Sequence, residues 1–188
     1  MKEAVTVWRL VAMAAGSVMI LAGCSSAGSA ADALLAEHNL DGMPVEEVID
    51  ELDRLPGPER PADLMASVRV DELLLSDGEQ EVGLALPDDR FYLSVAPYVS
   101  RTHDCYFHSL TTCQGELAGE DVHVTIVDAA GEVLVDERTT TFDNGFVGFW
   151  LPRDVDGTVR VSSEGRSGEV EFSTGGDSAT CLTTLQLV

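Results

Sequence analysis

The second half of the chain consists of short runs in which apolar and polar residues alternate, and turn-forming pairs separate these runs. Val122, Val124 and Ile126 form one such run, which is typical of a strand that buries one face. Pairs such as Ala130-Gly131 and Asn144-Gly145 provide the turns. Because short strands at this spacing usually form two facing sheets, we predict an antiparallel β-sandwich over residues 101–188.

A helical pattern precedes the strands. It begins near Ala30 and is interrupted at Asp41-Gly42. A second helix can begin at Pro44, because proline suits the first helical position, and Pro56-Gly57-Pro58 ends it. The pattern therefore predicts a hairpin of two helices.

The period becomes extended from Val68 to Val95, where Asp77-Gly78 is a hairpin signal. We predict an antiparallel β-meander here, so that residues 32–100 combine the helical hairpin with this meander. The predicted fold class is α+β, mainly β. Part of the later sequence resembles transthyretin-like and carboxypeptidase-regulatory β-sandwiches, a likeness that concerns the fold only; it covers residues 128–135, 139–146 and 151–152.

The N-terminus has the form of an export signal. A short charged segment precedes the apolar run Leu10–Ala22, which is too short to span a bilayer as a helix. The run ends in Leu21-Ala22-Gly23-Cys24, which resembles the lipobox of bacterial lipoproteins and implies a lipid on Cys24. We therefore predict a signal peptide over residues 1–23, a tether over 24–31 and a lipid-anchored protein of the cell envelope. The alternative is an ordinary secretory signal with a chance cysteine.

The chain is strongly acidic, with a formal net charge of −22 at pH 7. Such a surface repels phosphate backbones, so the charge argues against nucleic-acid binding. It attracts cations but selects no particular metal, and we interpret it mainly as a source of solubility.

The number of cysteines constrains the chemistry. Four are present, and three remain if Cys24 carries a lipid. In an oxidising compartment, an odd number implies either one disulfide with one free thiol, or three thiols held by a metal or a reductant.

Two of these cysteines and two histidines share a short segment with the spacing His-x-Cys-x2-His-x4-Cys; the residues are His103, Cys105, His108 and Cys113. Cys181, near the C-terminus, is available to join them. Thiolate and imidazole suit copper or zinc and suit magnesium or calcium poorly. The tight pairs of a structural zinc site are absent from the segment, as is the Cys-x2-Cys of a thioredoxin-like enzyme. Spacing alone leaves three interpretations: a metal site, a structural disulfide with incidental histidines, and a redox thiol.

Several stretches together resemble the CueP family of bacterial periplasmic copper-binding proteins. They are Ser94–Val99, Thr102–Leu117, Thr139–Pro152 and Cys181–Leu187. The resemblance implies copper binding and copper resistance in the cell envelope. It also implies hand-over of copper to a periplasmic Cu,Zn superoxide dismutase or another acceptor, and it raises the expectation of a homodimer.

Roles for the cysteines follow from this resemblance and from their chemistry. We expect a disulfide between Cys105 and Cys181, which leaves Cys113 as the thiol that anchors the metal. The rival expectation is that all three sulfurs bind metal under reducing conditions.

The remaining donors are histidines and one carboxylate. His103 and His108 are the best imidazole candidates. His123 lies in a strand, where its side chain faces opposite to those of its neighbours, and we retain it as a further candidate ligand. Glu116 is a candidate oxygen donor.

We expect a copper-binding protein and not an enzyme, because no serine-histidine-acid or paired-carboxylate arrangement stands out. Two alternatives remain. Three cysteines beside copper could reduce Cu(II) to Cu(I), or the chain could be a structural lipoprotein whose β-sandwich merely contains a disulfide.

Overall fold

Two helices and eleven short strands make up the computed structural model, which describes residues 26–188. The helices are α1 (Ser26–Glu37) and α2 (Val45–Arg54), followed by a 3-10 turn at Gly57–Glu59. The strands are β1 (Met65–Val68), β2 (Glu72–Ser76), β3 (Glu81–Ala85), β4 (Arg90–Val95), β5 (His108–Ser109), β6 (Asp121–Asp128), β7 (Val133–Thr140), β8 (Val147–Pro152), β9 (Asp156–Ser163), β10 (Arg166–Ser173) and β11 (Cys181–Leu182). The predicted class, mainly β with a small helical part, is confirmed.

The helices lie close to where the pattern put them. Gly42, with a φ of +76°, lies in the break between them, as expected for a residue without a side chain. Pro44 precedes α2 as its N-cap and is not its first residue. The predicted tether is helical from Ser26 onward, while the signal peptide and Cys24 lie outside the described residues. Neither described helix has the length and apolar character of a membrane span.

One four-stranded antiparallel sheet packs next to the helices. Its order is β3-β2-β1-β5, and the Asp77-Gly78 hairpin joins β2 to β3 as predicted. The apolar side chains of α2 and of this sheet form one core. In β5, His108 pairs with Val68 of β1, so this sheet fixes the backbone of one candidate ligand.

The fourth strand does not continue the meander as predicted. β4 pairs with β8 and, in parallel, with β11, in a separate three-stranded sheet. Both faces of β4 are buried: Phe91 and Leu93 contribute to one core and Tyr92 to the core beneath the helices. A strand with two apolar faces needs a covered position between two layers, which the end of a meander does not provide.

The β-sandwich places the sheet β10-β9-β6-β7 against the sheet of β4, β8 and β11. The second of these sheets includes β4, which precedes residue 100, so the predicted division of the chain at that residue stays a prediction. At one end of the molecule a third, smaller apolar cluster is formed by Ala96, Cys105, Cys113, Phe146 and Cys181. This end contains the candidate site.

Candidate metal centre

The segment that contains the cysteines and histidines is tied to the C-terminal strand by backbone contacts. The N–H of Cys181 donates to the carbonyl oxygen of Tyr106 at 3.1 Å. The N–H of His108 donates to the hydroxyl of Thr180 at 3.0 Å, and that hydroxyl donates to the carbonyl of Val68 at 2.7 Å. Residues far apart in sequence are thus held side by side at the end of the sandwich.

A disulfide joins Cys105 to Cys181, with the two Cα atoms 5.7 Å apart. This is the pairing expected from the sequence. Cys113 is the free cysteine of the described part of the chain. We refer to these three residues as the sulfur cluster, because the Sγ of Cys113 lies 3.5 Å from that of Cys105 and within 4.8 Å of that of Cys181.

A tight turn presents the sulfur of Cys113. The backbone N–H of Cys113 donates to the carbonyl oxygen of Ser109 at 3.1 Å, which closes a single helical turn. The N–H of Ser109 in return points at the Cys113 sulfur at 3.4 Å, and Arg60 donates to the Cys113 carbonyl at 2.8 Å. The turn therefore fixes the position of a side chain that is only 9% exposed.

His103 lies on the solvent side of the sulfur cluster. It lines an open cleft of about 440 Å³ together with Cys113 and Glu116. Its Nε2 atom is buried and has no hydrogen-bond partner. A buried polar atom without a partner is costly, and a bound cation would satisfy this nitrogen.

His108 lies on the inner side and is fully buried. Its Nδ1 is 3.8 Å from the sulfur of Cys181. Its Nε2 is 2.8 Å from the Oδ1 of Asp53, a residue of α2 that is also fully buried. The two histidines therefore approach the sulfur cluster from opposite environments.

Asp53 is a residue that sequence analysis missed. It accepts hydrogen bonds from the hydroxyl of Tyr92 at 2.6 Å and from the amide of Asn144 at 2.7 Å, in addition to its contact with His108. A signal was present, since Asp53 follows Val45 and Ile49 at intervals of four residues on the buried face of α2. A carboxylate at such a position indicates a buried partner.

Two separate sets of donor atoms are each compact enough to hold a metal ion. The ligand atoms of His103, Cys105 and Cys113 lie within 4.8 Å of one another, and the same holds for His108, Cys113 and Cys181. The sulfur of Cys113 belongs to both sets. Thiolate and imidazole fit Cu(I) and zinc, so the donors present suit the metals expected from the sequence.

The two remaining candidate ligands, His123 and Glu116, either lie away from the sulfur cluster or already bind other protein groups. The structure brings His123 into neither set, because β6 places it on the outer sheet, where its Nε2 contacts Asp136 at 2.6 Å. One carboxylate oxygen of Glu116 accepts backbone N–H groups of Val99, Ser100 and Arg101. These bonds lower the pKa of Glu116 and give it a structural role in the loop.

The charges of the buried groups are coupled. Burial acts to lower the pKa of His108, but the Asp53 carboxylate and Cys113 raise it to about 9. Burial acts to raise the pKa of Cys113, but the hydrogen bond to His108, the charge of His108 and the N–H of Ser109 lower it. Burial acts to raise the pKa of Asp53, but its contacts with His108, Tyr92 and Asn144 outweigh burial and lower this pKa below its ordinary value. Without metal, these contacts favour the protonated form of His108 and lower the pKa of the neighbouring Cys113 thiol.

Known proteins with related sequences identify the family. A model for a family described as periplasmic copper-binding protein CueP matches residues 47–186. The chain belongs to the CueP family. The crystal structure of S.CueP has 44% sequence identity to it and a TM-score of 0.81, and the match covers 89% of this chain and 100% of that one. No match was found among curated proteins.

The CueP match contains the whole candidate centre. Both histidines, the sulfur cluster and Asp53 lie inside residues 47–186. The resemblance to CueP noted in the sequence is therefore confirmed, and copper is the ion that the family description names. The match begins within α2, so it includes neither α1 nor the predicted leader.

Proposed function

We propose that this member of the CueP family sequesters copper in the cell envelope and contributes to copper resistance, with the Sγ of Cys113 and the imidazoles of His103 and His108 as ligands. One observation supports the proposal most directly. The sulfur of Cys113 lies within 4.8 Å of a ring nitrogen of each histidine, and the Nε2 of His103 is buried without a protein partner. The Cys113 sulfur is the donor that the two sets share, one set with each imidazole.

The oxidation state of the cluster favours copper over structural zinc. While Cys105 and Cys181 share a disulfide, their sulfurs are poor ligands, and one thiolate and two imidazoles remain. Structural zinc sites almost always have four protein ligands, and one thiolate with two imidazoles supplies only three, although both donor types suit copper and zinc. The affinity for zinc should therefore be measured beside the affinity for Cu(I).

The test is a copper titration of the Cys113→Ser variant with the disulfide intact. We expect Cu(I) affinity to fall by at least about 100-fold, because a hydroxyl replaces the soft donor shared by both histidines. His123→Ala is the matched control, since His123 contacts Asp136 on the outer sheet, and it should bind as the parent does. Parental affinity in Cys113→Ser would remove this residue from the site, and background metal content in the loaded parent would favour a purely structural protein.

We also propose that a lipid on Cys24 anchors the protein after removal of residues 1–23. A tethered copper store would then pass copper to a periplasmic Cu,Zn superoxide dismutase or another acceptor, for which the open cleft beside His103 gives access. Mass spectrometry of the mature N-terminus should find a diacylglycerol there, and Cys24→Ala should release the protein from membranes. An unmodified Cys24 in the mature protein would contradict the lipid anchor.

A homodimer stays a prediction, which sedimentation analysis can test.

A second candidate function is the reduction of Cu(II). It is favoured by the 3.5 Å separation of the sulfurs of Cys105 and Cys113, which can close a disulfide. Two thiols would lose two electrons and two protons, and two Cu(II) ions would become Cu(I). The reaction is stoichiometric unless a partner reduces the disulfide again, so we propose a binding protein and not an enzyme.

The reductase alternative has a direct test. Fully reduced protein is mixed with Cu(II) and a Cu(I) indicator, and the thiols are counted before and after. Indicator colour with the loss of two thiols per two copper ions would support it. No colour, with thiols intact, would dispose of it.

A further inference from the structure

Asp53 is a fully buried carboxylate that belongs to the helical part of the molecule but reaches the candidate metal centre. Its Oδ2 accepts from the hydroxyl of Tyr92, and its Oδ1 accepts from the amide of Asn144 and lies 2.8 Å from the Nε2 of His108. Every oxygen of the carboxylate thus has a partner.

The burial of this charge requires a reason. A buried carboxylate is costly even when it is paired, and an apolar residue of similar volume is often equally stable at such a position. Asn144 already binds the α2 backbone through the carbonyl oxygen of Asp53 at 2.9 Å and accepts from the N–H of Phe146. α2 is therefore also held through its backbone, by a contact that the carboxylate does not make. Among its three partners, the one that belongs to the candidate metal centre is His108.

The contact determines which nitrogen of His108 can bind metal. An imidazole that donates its Nε2–H to a carboxylate has its Nδ1 lone pair available as the ligand. Here Nδ1 is the nitrogen that lies 3.8 Å from the Cys181 sulfur and belongs to the donor set with Cys113. Carboxylates behind metal-bound histidines generally fix the ring and its tautomer in this way.

We propose that Asp53 is the positioning residue of the copper site: it holds His108 so that copper is bound through Nδ1. The inference rests on the proposed function, since it assumes that His108 is a copper ligand. It makes the site asymmetric, with one imidazole held from behind by α2 and the other free at the cleft.

The first experiment uses the parental protein, loaded with Cu(I), which is diamagnetic. Long-range ¹H–¹⁵N NMR of the imidazoles should show a proton on the Nε2 of His108 and a copper-induced shift of its Nδ1. In the metal-free protein the Nε2–H should exchange slowly with water, because it is buried against the carboxylate. Copper on the Nε2 of His108, or His108 nitrogens unmoved by copper, would overturn the inference.

The second experiment compares variants. Asp53→Asn should weaken Cu(I) binding by about 10- to 100-fold, the usual loss when the group behind a metal-bound histidine is removed. Tyr92→Phe is the matched control, because it removes a buried hydrogen bond to the Oδ2 of the same carboxylate but none to His108. Its affinity should stay within about threefold of the parent. Equal losses in both variants would indicate a merely structural role and would overturn the inference.

A third variant keeps the test informative if Asp53→Asn does not fold. His108→Gln places an amide Nε2–H where it can still donate to Asp53, but it lacks Nδ1. It should fold and lose copper affinity. Parental affinity in His108→Gln would overturn the positioning role. Copper binding by Cys113 would survive that result, whereas a parent that binds no copper would refute the proposed function itself.

Discussion

Cys113 and the two histidines meet at the boundary between solvent and core. His103 lines the cleft, His108 is fully buried, and Cys113 between them is 9% exposed. The two imidazoles therefore differ in environment, although the sequence shows them as a similar pair five residues apart.

The raised pKa of His108 predicts a pH dependence that extends above the range of ordinary histidines. Copper on this ring must displace a proton at any pH below about 9, the pKa of His108. We expect apparent Cu(I) affinity to rise by up to about tenfold per pH unit between pH 6.5 and 9. Competition with a Cu(I) chelator across this range measures it.

The control for this pH dependence is His108→Gln. In that variant, apparent Cu(I) affinity should no longer rise with pH in the upper part of the range. In His103→Ala it should still rise there. Affinity that becomes constant above pH 6.5 in the parent would contradict ligation by His108, because only an unperturbed histidine behaves in that way.

The same shift predicts a stability change in the metal-free protein. The pKa of His108 is about 9 when folded against 6.5 when free, so its pairing with Asp53 stabilises the fold fully below pH 6.5. That contribution, at most about 3 kcal/mol, is lost as the pH rises through 9. Urea unfolding between pH 6 and 10 should show the loss.

Two variants refine that experiment. A Cys113→Ser background removes the thiol, whose lowered pKa gives the opposite dependence. Asp53→Asn in this background should abolish the decline, because the carboxylate is the principal group that raises the pKa of His108. If the unfolding free energy of Asp53→Asn still declined as the pH rises, the decline would have to come from other titratable groups.

At the scale of the elements, the Cys113 turn and the turn that contains Asn144 pass very close to each other. The N–H of Gly115 donates to the carbonyl oxygen of Asn144 at 2.6 Å. A Cβ on Gly115 would lie 2.7 Å from the carbonyl oxygen of Gly145, a backbone atom that cannot move aside alone. The contact holds Cys113 and the network around Asp53 in fixed relation.

We therefore predict that Gly115→Ala destabilises the protein by about 2 to 3 kcal/mol, because the new Cβ would clash with the backbone of Gly145. Copper affinity should fall as well, because the turn that presents Cys113 must shift. Gly176→Ala is the control, since a Cβ there meets nothing within 4 Å. Chemical denaturation and copper titration measure both effects, and a Gly115→Ala protein with parental stability would show that the turns can separate.

The elements also show where prediction from sequence succeeds. The β2–β3 hairpin and the strands of the sandwich were predictable, because one buried face and glycine turns leave a local pattern. The partner of β4 was not, because Phe91, Tyr92 and Leu93 are all buried and a strand without alternation does not reveal its neighbours. The proximity of His103 and His108 to the three cysteines was predictable from residue type and spacing, whereas His123 lies in neither donor set. Asp53 was missed because its partner His108 is 55 residues away.

At the scale of the whole molecule, the disulfide is a covalent link between residues 76 positions apart. It links β11 to the segment that contains His103 and Cys113, so it stabilises both the fold and the site. A cross-link of this span constrains the unfolded chain by about 4 kcal/mol on an entropic model.

We predict that the double variant Cys105→Ser/Cys181→Ser loses about 4 kcal/mol of unfolding free energy in the absence of metal. Denaturant unfolding of the oxidised parent and the variant gives the difference, and Cys113→Ser is the control that retains the disulfide. Saturating Cu(I) should restore only part of the loss, through Cys113 and the histidines. A loss below about 1 kcal/mol would mean that pairing of β11 with β4 holds the terminus without the cross-link.

The ligands and their supports come from distant parts of one polypeptide, from α2 near its beginning to β11 near its end. The complete set of ligands and supports forms only when distant segments meet. Asp53 needs its partner His108, and Cys105 needs its disulfide partner Cys181. If these residues bind copper as proposed, capture of the metal must follow folding of nearly the whole chain, from α2 to β11.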